Sequence, residues 1–129
     1  MIDPHPTEGE LAILRVLWAR RGPCTVRDVH QALSRGKDTA YTTVLKMMTI
    51  MAEKGLVVRD ETERSHLYAA VHPEPTVQSA LLKDLMTRAF SGSALQLVQR
   101  ALDAEATSRA DLDAIEAMIA EAKSRRDRS

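Results

Sequence analysis

The stretch TVRDVHQALSRGKDTAYTTVLKMMTIMAEKG, from Thr25 to Gly55, decides the fold of this chain. Thr25 and Asp28 have the spacing of a capping box, which predicts the start of a short helix that ends at Gly36. The second half, from Thr39 to Gly55, repeats apolar residues at helical spacing and predicts a longer helix capped by Asp38 or Thr39. Two helices joined by a tight turn are typical of a helix-turn-helix.

The segments on either side of this stretch complete a winged helix. Upstream, TEGELAILRVLWAR predicts a first helix, which a capping box of Thr7 and Glu10 begins. Downstream, LVVRDETERSHLYAAV has β-branched and aromatic residues on both sides of a polar tip, which predicts a two-stranded hairpin. The expected fold class is therefore mainly α: a winged helix-turn-helix followed by C-terminal helices.

The longer helix has an apolar side and a side rich in threonine. The apolar side, expected to face the core, carries Tyr41, Val44, Leu45, Met48, Met51 and Ala52. Because β-branching makes threonine an indifferent helix former, a threonine-rich face indicates a role other than helix stability. A DNA major groove accepts one helix, and hydroxyls can bond to base edges there. The residues predicted to face the groove are Thr39, Thr42, Thr43 and Lys46.

Two further contacts with DNA are expected beside this helix. The start of the second helix, at Thr25, would point backbone amides and the positive end of the helix dipole at a phosphate. Arg64, in the tip of the hairpin, would reach a phosphate or the minor groove. Arg27 is a weaker candidate for a phosphate contact.

The sequence HPEP, from His72 to Pro75, predicts a domain boundary, with a DNA-binding domain at 1–72 and a helical segment at 73–129. Each helical pattern of the second segment has an apolar stripe, and a segment of this size buries little by itself. Two copies could bury their stripes against each other, so we expect homodimerisation; the alternative is that these helices fold back onto the same chain. The expected dimerisation residues are Val77, Leu81, Leu85, Leu95, Val98, Leu102, Leu112, Ile115 and Ile119.

Composition and charge restrict the function classes. The 18 basic and 18 acidic residues cancel, which is weak evidence against nucleic-acid binding unless positive charge is local and a dimer supplies affinity. A single cysteine, Cys24, excludes an intramolecular disulfide. No signal-like N-terminus or membrane-spanning apolar run is present, which favours a cytoplasmic protein. No catalytic constellation or metal-ligand spacing stands out, so we expect no enzyme activity, no metal and no cofactor.

Four segments, TEGELAILRVLW, TVRDVHQAL, AYTTVLKMM and the hairpin, resemble the penicillinase-repressor family over roughly residues 7 to 122. The resemblance implies a homodimeric winged-helix repressor that sits on inverted repeats in promoters and blocks transcription. In one branch of that family a membrane-bound sensor protease triggers cleavage of the repressor and derepression. The alternatives are a winged-helix module that binds protein, or a repressor that binds a small effector directly.

The sequence also departs from family patterns. The cysteine pairs of the copper-sensing branch are absent from the C-terminal region. Sensor-cleaved members are cut between Asn and Phe, where this chain has Arg100 and Ala101, so the cleavage rule does not transfer. Relatives often have Arg where this chain has Ile50. The tip of the wing is acidic, and phosphate repels it.

Overall fold

The computed structural model describes residues 5–35, 39–104 and 107–129. Within them the chain forms six helices and one two-stranded antiparallel hairpin, which confirms the predicted mainly α fold with a winged helix-turn-helix. The chain divides into two compact units, of which the first ends at Leu82 and the second begins at Lys83. In chain order the elements are α1 (Glu8–Arg20), α2 (Val26–Leu33), α3 (Tyr41–Lys54), β1 (Val57–Asp60), β2 (Leu67–Ala70), α4 (Glu74–Ala89), α5 (Ala94–Asp103) and α6 (Arg109–Asp127).

Capping boxes fix the starts of α1 and α2. The Thr7 hydroxyl accepts a hydrogen bond from the Glu10 amide at 3.2 Å, and the Glu10 carboxylate accepts one from the Thr7 amide at 2.9 Å. Thr25 and Asp28 make the same reciprocal pair at 3.1 and 3.0 Å. Both predicted starts are confirmed, and each such cap stabilises its helix by about 1 kcal/mol.

The start of α3 differs from the prediction. Its N-cap is Ala40, which makes no side-chain capping bond, so Thr39 is not the cap. Asp38, the other candidate, lies outside the described residues. At the far end Gly55 has φ 82°, a left-handed conformation that glycine adopts without strain, and the helix ends there as predicted.

The hairpin is joined to the entry of α2. Val57 pairs with Ala70 and Asp60 with Leu67, which leaves residues 61–66 as the wing tip. Cys24 and Tyr68 form an isolated antiparallel bridge, in which each amide donates to the other residue's carbonyl at 2.9 and 2.8 Å. The bridge holds the first turn of α2 beside the wing.

The core of the first unit is aliphatic and rich in methionine. Val44, Met48 and Met51 of α3 are fully buried against the apolar side of α1. A charged pair also lies within this unit, because Glu10 is 4% exposed and both its carboxylate oxygens accept hydrogen bonds from Lys54 Nζ, at 2.9 and 3.0 Å. This pair ties the start of α1 to the end of α3.

The first unit extends beyond the boundary expected at residue 72. Val77 of α4 is 2% exposed and belongs to the core cluster of the first unit, and Leu81 packs against that cluster half-buried. The expectation that Val77 supplies a dimer contact is therefore corrected, because its own chain covers its side chain. Pro75 lies in the first turn of α4, where a missing amide costs no hydrogen bond, so the prolines of HPEP begin a helix and do not separate two units.

The second unit contains the rest of α4 with α5 and α6. Ser93 and Ser108 cap α5 and α6 by accepting hydrogen bonds from Gln96 and Asp111 amides, each at 3.1 Å. No side chain of α5 or α6 is fully buried in the described residues. Ile115 is half-buried; the other residues of the expected dimer face in this unit remain exposed, namely Leu85, Leu95, Val98, Leu102, Leu112 and Ile119.

Candidate nucleic-acid interface

The exposed side of α3 presents the polar residues that the sequence singled out. Thr42, Thr43 and Lys46 are exposed, and Thr39, just before the helix, is half-buried. The Thr39 carbonyl accepts a hydrogen bond from His30 Nε2 at 2.7 Å, which anchors the chain to α2 where it enters α3. The short threonine side chains leave the start of α3 open to close approach by a flat edge such as a base pair.

A cleft of about 480 Å³ lies alongside this face, between α2, α3 and the wing. We call it the wing cleft. It brings together two of the predicted DNA contacts, Thr25 and Arg64, although they are far apart in the sequence. The other residues that line it are Val26, Arg27, Tyr41, Leu45, Ser65, His66 and Tyr68.

For two residues of α3 the prediction from the sequence is wrong. Tyr41 and Leu45 were expected in the core, yet they are 44% and 41% exposed and line the wing cleft. Both lie at the edge of the apolar stripe, where helical spacing alone does not distinguish a buried side chain from one on the rim. His30 packs edge-to-face against the Tyr41 ring, with 5.6 Å between ring centroids and 79° between planes, which supports the start of α3 from the side of α2.

The positive potential at the start of α2 is weaker than its helix dipole alone would produce. The hydroxyl and the amide of Thr25 are both used in the capping box, so any phosphate contact there falls to the following amides of the first turn. The hydrogen bond from the Thr25 backbone lowers the pKa of Asp28, and its carboxylate therefore stays ionised beside the helix start. Attraction for phosphate must then come mainly from the guanidinium groups of Arg27 and Arg64, both exposed.

The wing tip is organised by its own acidic residues. Asp60 accepts a hydrogen bond from the Thr62 amide at 3.0 Å, which forms the turn and lowers the pKa of Asp60. Glu61 pairs with Arg59 at 2.9 Å. The neighbouring Tyr68 side chain, followed by Glu61, raises the pKa of Arg59. The acidity of the tip is thus partly neutralised within the wing.

The described residues contain no group of three or more His, Cys, Asp or Glu side chains placed to hold a metal ion. Cys24, which precedes the N-cap of α2, is buried, and burial raises the pKa of its thiol. In the same part of the chain no helix is both long and apolar enough to cross a bilayer. The chemistry offered by the first unit is therefore that of hydroxyls, amides and a few cations around a cleft.

Comparison with known proteins identifies a family that this chain matches. A family model described as penicillinase repressor matches residues 6–121. Two curated proteins, each called transcriptional regulator BlaI, from Mycobacterium tuberculosis strains CDC 1551 / Oshkosh and ATCC 25618 / H37Rv, are 39% identical over 87 residues. The match covers 67% of this chain and 63% of each relative.

Proposed function

This chain belongs to the penicillinase-repressor family, and from that premise we propose that it is a transcriptional repressor whose dimer binds an inverted-repeat promoter operator. Its place of action would be the cytoplasm, where such DNA is found. The observation that carries the proposal is the exposed threonine and lysine face of α3 beside the wing cleft, because one helix with a flanking wing is the shape that a major groove and its phosphates accept.

Within one half-site, Thr42, Thr43 and Lys46 would contact base edges and Thr39 would approach the backbone. Threonine hydroxyls can donate or accept, and lysine can reach a guanine edge or a phosphate. Arg64 and the first turn of α2 after Thr25 would contact phosphates of the two DNA strands that border the groove. The part of α3 that faces the groove would end before Glu53, because phosphate would repel this exposed carboxylate near the end of the helix.

The dimer is proposed from the second unit. The six exposed apolar residues of α4, α5 and α6 named above are 40–79% exposed, and neither α5 nor α6 has a fully buried side chain among the described residues. A second copy of the same helices would cover them with a two-fold interface. Two tethered winged helices then bind DNA at a high effective concentration, and the two-fold axis makes the operator an inverted repeat.

Derepression would follow from any signal that loosens this dimer. A membrane-bound sensor protease is the source that the family resemblance implies, but the pair at the aligned position is Arg100 and Ala101, within α5. Arg100 is paired with Asp103 at 3.4 Å on the same helix. A protease would therefore need another bond or a locally unfolded α5.

The proposal is tested by DNA binding of paired lysine variants. Duplexes are selected from a randomised library with the wild-type protein, and Kd is measured by fluorescence anisotropy. Lys46→Ala should weaken binding about tenfold, since a contact is lost in each subunit. Lys123→Ala, an exposed lysine of α6, serves as the matched control and should bind as the wild type does.

Two results would overturn the proposal. One is failure of the wild-type protein to enrich any duplex, which would favour the protein-binding module. The other is equal binding by Lys46→Ala and Lys123→Ala, which would place the DNA contact elsewhere on the surface. A small-effector repressor would bind DNA and also gain thermal stability from a ligand.

A further inference from the structure

Leu45 is a large apolar side chain that the core does not use. Val44, Met48 and Met51 of the same helix are fully buried, whereas Leu45 is 41% exposed. Two cations, Arg27 and Arg64, line the same wing cleft. One exposed leucine is ordinary on a protein surface, so its place carries the inference. A duplex bound to α3 would cover the wing cleft and with it the remaining apolar surface of Leu45.

The position of Leu45 on α3 places it among the groove-facing residues. Thr42 lies three residues before it and Thr49 four residues after it, so the three side chains form one row along the helix surface. The Thr49 hydroxyl donates to the Leu45 carbonyl at 2.9 Å, so its oxygen is left as an acceptor only. The row therefore offers the hydroxyl of Thr42, then the apolar side chain of Leu45, then the acceptor oxygen of Thr49.

We propose that Leu45 reads a thymine in each half-site by packing against its C5-methyl group. This inference rests on the proposed function and names a feature of the DNA that it recognises. The thymine methyl is the apolar group that a base pair presents in the major groove, while guanine, adenine and cytosine present donors and acceptors that leucine cannot satisfy. Leu45 would therefore favour a T·A pair through contact with the thymine methyl group. It would disfavour the other pairs, because it would remove water from their polar base edges without bonding to them.

Deoxyuridine tests the contact, because it differs from thymidine by that methyl group alone. In the duplex selected with the wild-type protein, each thymine pair related by the operator symmetry is replaced in turn by deoxyuridine, and Kd is measured. At one position the loss should be about fourfold per half-site, hence about fifteenfold for the symmetric duplex. In Leu45→Ala the same replacement should change Kd less than twofold.

Two further variants make the result specific. Ile50→Ala removes another exposed aliphatic group from α3 and should keep the full deoxyuridine penalty at that position. Leu45→Gln keeps the size of the side chain and should lose the penalty. Circular dichroism verifies that each variant retains the helical content of the wild type.

The outcomes separate this inference from the proposed function. If the wild-type protein enriches a duplex but Leu45→Ala retains every deoxyuridine penalty, the thymine contact is refuted and DNA binding stands. If no duplex is enriched, DNA binding itself fails. If the penalty disappears in Ile50→Ala and persists in Leu45→Ala, the methyl group is read by Ile50.

Discussion

Replacing Lys54 with methionine tests how the end of α3 is held to α1. Lys54 Nζ lies 2.9 and 3.0 Å from the two oxygens of Glu10, whose side chain is almost inaccessible. Methionine keeps most of the length and volume of lysine and removes the charge. The Glu10 carboxylate would then keep only the Thr7 amide among its partners in the described residues.

The expected loss of stability depends on how far water reaches the side chains of Lys54 and Glu10. Removing one member of a fully buried ion pair costs about 3–5 kcal/mol, because a charge remains without its partner. The Lys54 side chain is 26% exposed, so water screens part of the interaction. We therefore expect Lys54→Met to lower the free energy of unfolding of the first unit by about 2 kcal/mol, or its midpoint by about 8–16 °C.

Urea unfolding followed by tryptophan fluorescence measures this change. Trp18, the one tryptophan of the sequence, lies in α1, and its indole Nε1 donates to the His72 carbonyl at 3.0 Å, so its emission reports on the first unit. Lys83→Met, at an exposed position of α4, is the matched control and should stay within about 0.5 kcal/mol of the wild type. The double variant Glu10→Gln with Lys54→Met should be more stable than Lys54→Met, because no buried charge is left over.

The same pair has a pH signature. Burial on its own would raise the pKa of Glu10, but the hydrogen bond from the Thr7 amide and the Lys54 ammonium outweigh it and lower that pKa. A lowered folded-state pKa means that the stabilisation is present above the unfolded-state pKa of about 4.3 and is lost as the pH falls through the folded value. The difference between wild type and Lys54→Met should shrink below pH 4. A difference that is absent at neutral pH would refute the reasoning.

Two further predictions concern the complex. With three or four phosphate contacts per subunit, including those of Arg27 and Arg64, log affinity should fall against log salt with a slope of about −5 to −7 for the proposed dimer. Arg64→Gln should flatten the slope by about 2, and a wild-type slope near zero would contradict DNA binding. If the proposed dimer forms through these helices, Leu95→Asp should convert it to monomer in light scattering at micromolar concentration and weaken DNA binding at least tenfold. Because the Leu95 side chain is 79% exposed, the change should leave the fold of its own chain intact. Val58→Asp, an equivalent change on β1, should leave association unaltered.

Local chemistry explains which parts of the fold could be predicted from the sequence. The capping boxes at Thr7 and Thr25 are confirmed because both partners of each box lie within three residues of each other. The start of α3 could not be read in this way, since Ala40 has no capping side chain. Contacts made by His30, on another helix, support it instead.

The unit boundary and the rim residues of the site depend on tertiary packing. A proline-rich HPEP motif resembles a linker in the sequence, yet Val77 just after it enters the first core. Tyr41 and Leu45 satisfy the helical spacing of a core stripe, but their exposure is set by where α2 and the wing stand beside α3. The hydroxyl face of Thr42 and Thr43 was easier to recognise, because polar residues opposite an apolar stripe are exposed in any packing.

The balance of charge explains why an apolar contact matters to a neutral protein. The guanidiniums of Arg27 and Arg64 line the wing cleft, and the ionised Asp28, whose pKa the Thr25 backbone lowers, lies in the first turn of α2. Nonspecific attraction to phosphate is therefore weak for one subunit, and it falls further with salt. If the chain binds DNA as proposed, its neutral balance of charge means that its affinity would come mainly from base contacts and from a second subunit. In that case Leu45, which lines the wing cleft, would add an apolar contact that salt does not weaken.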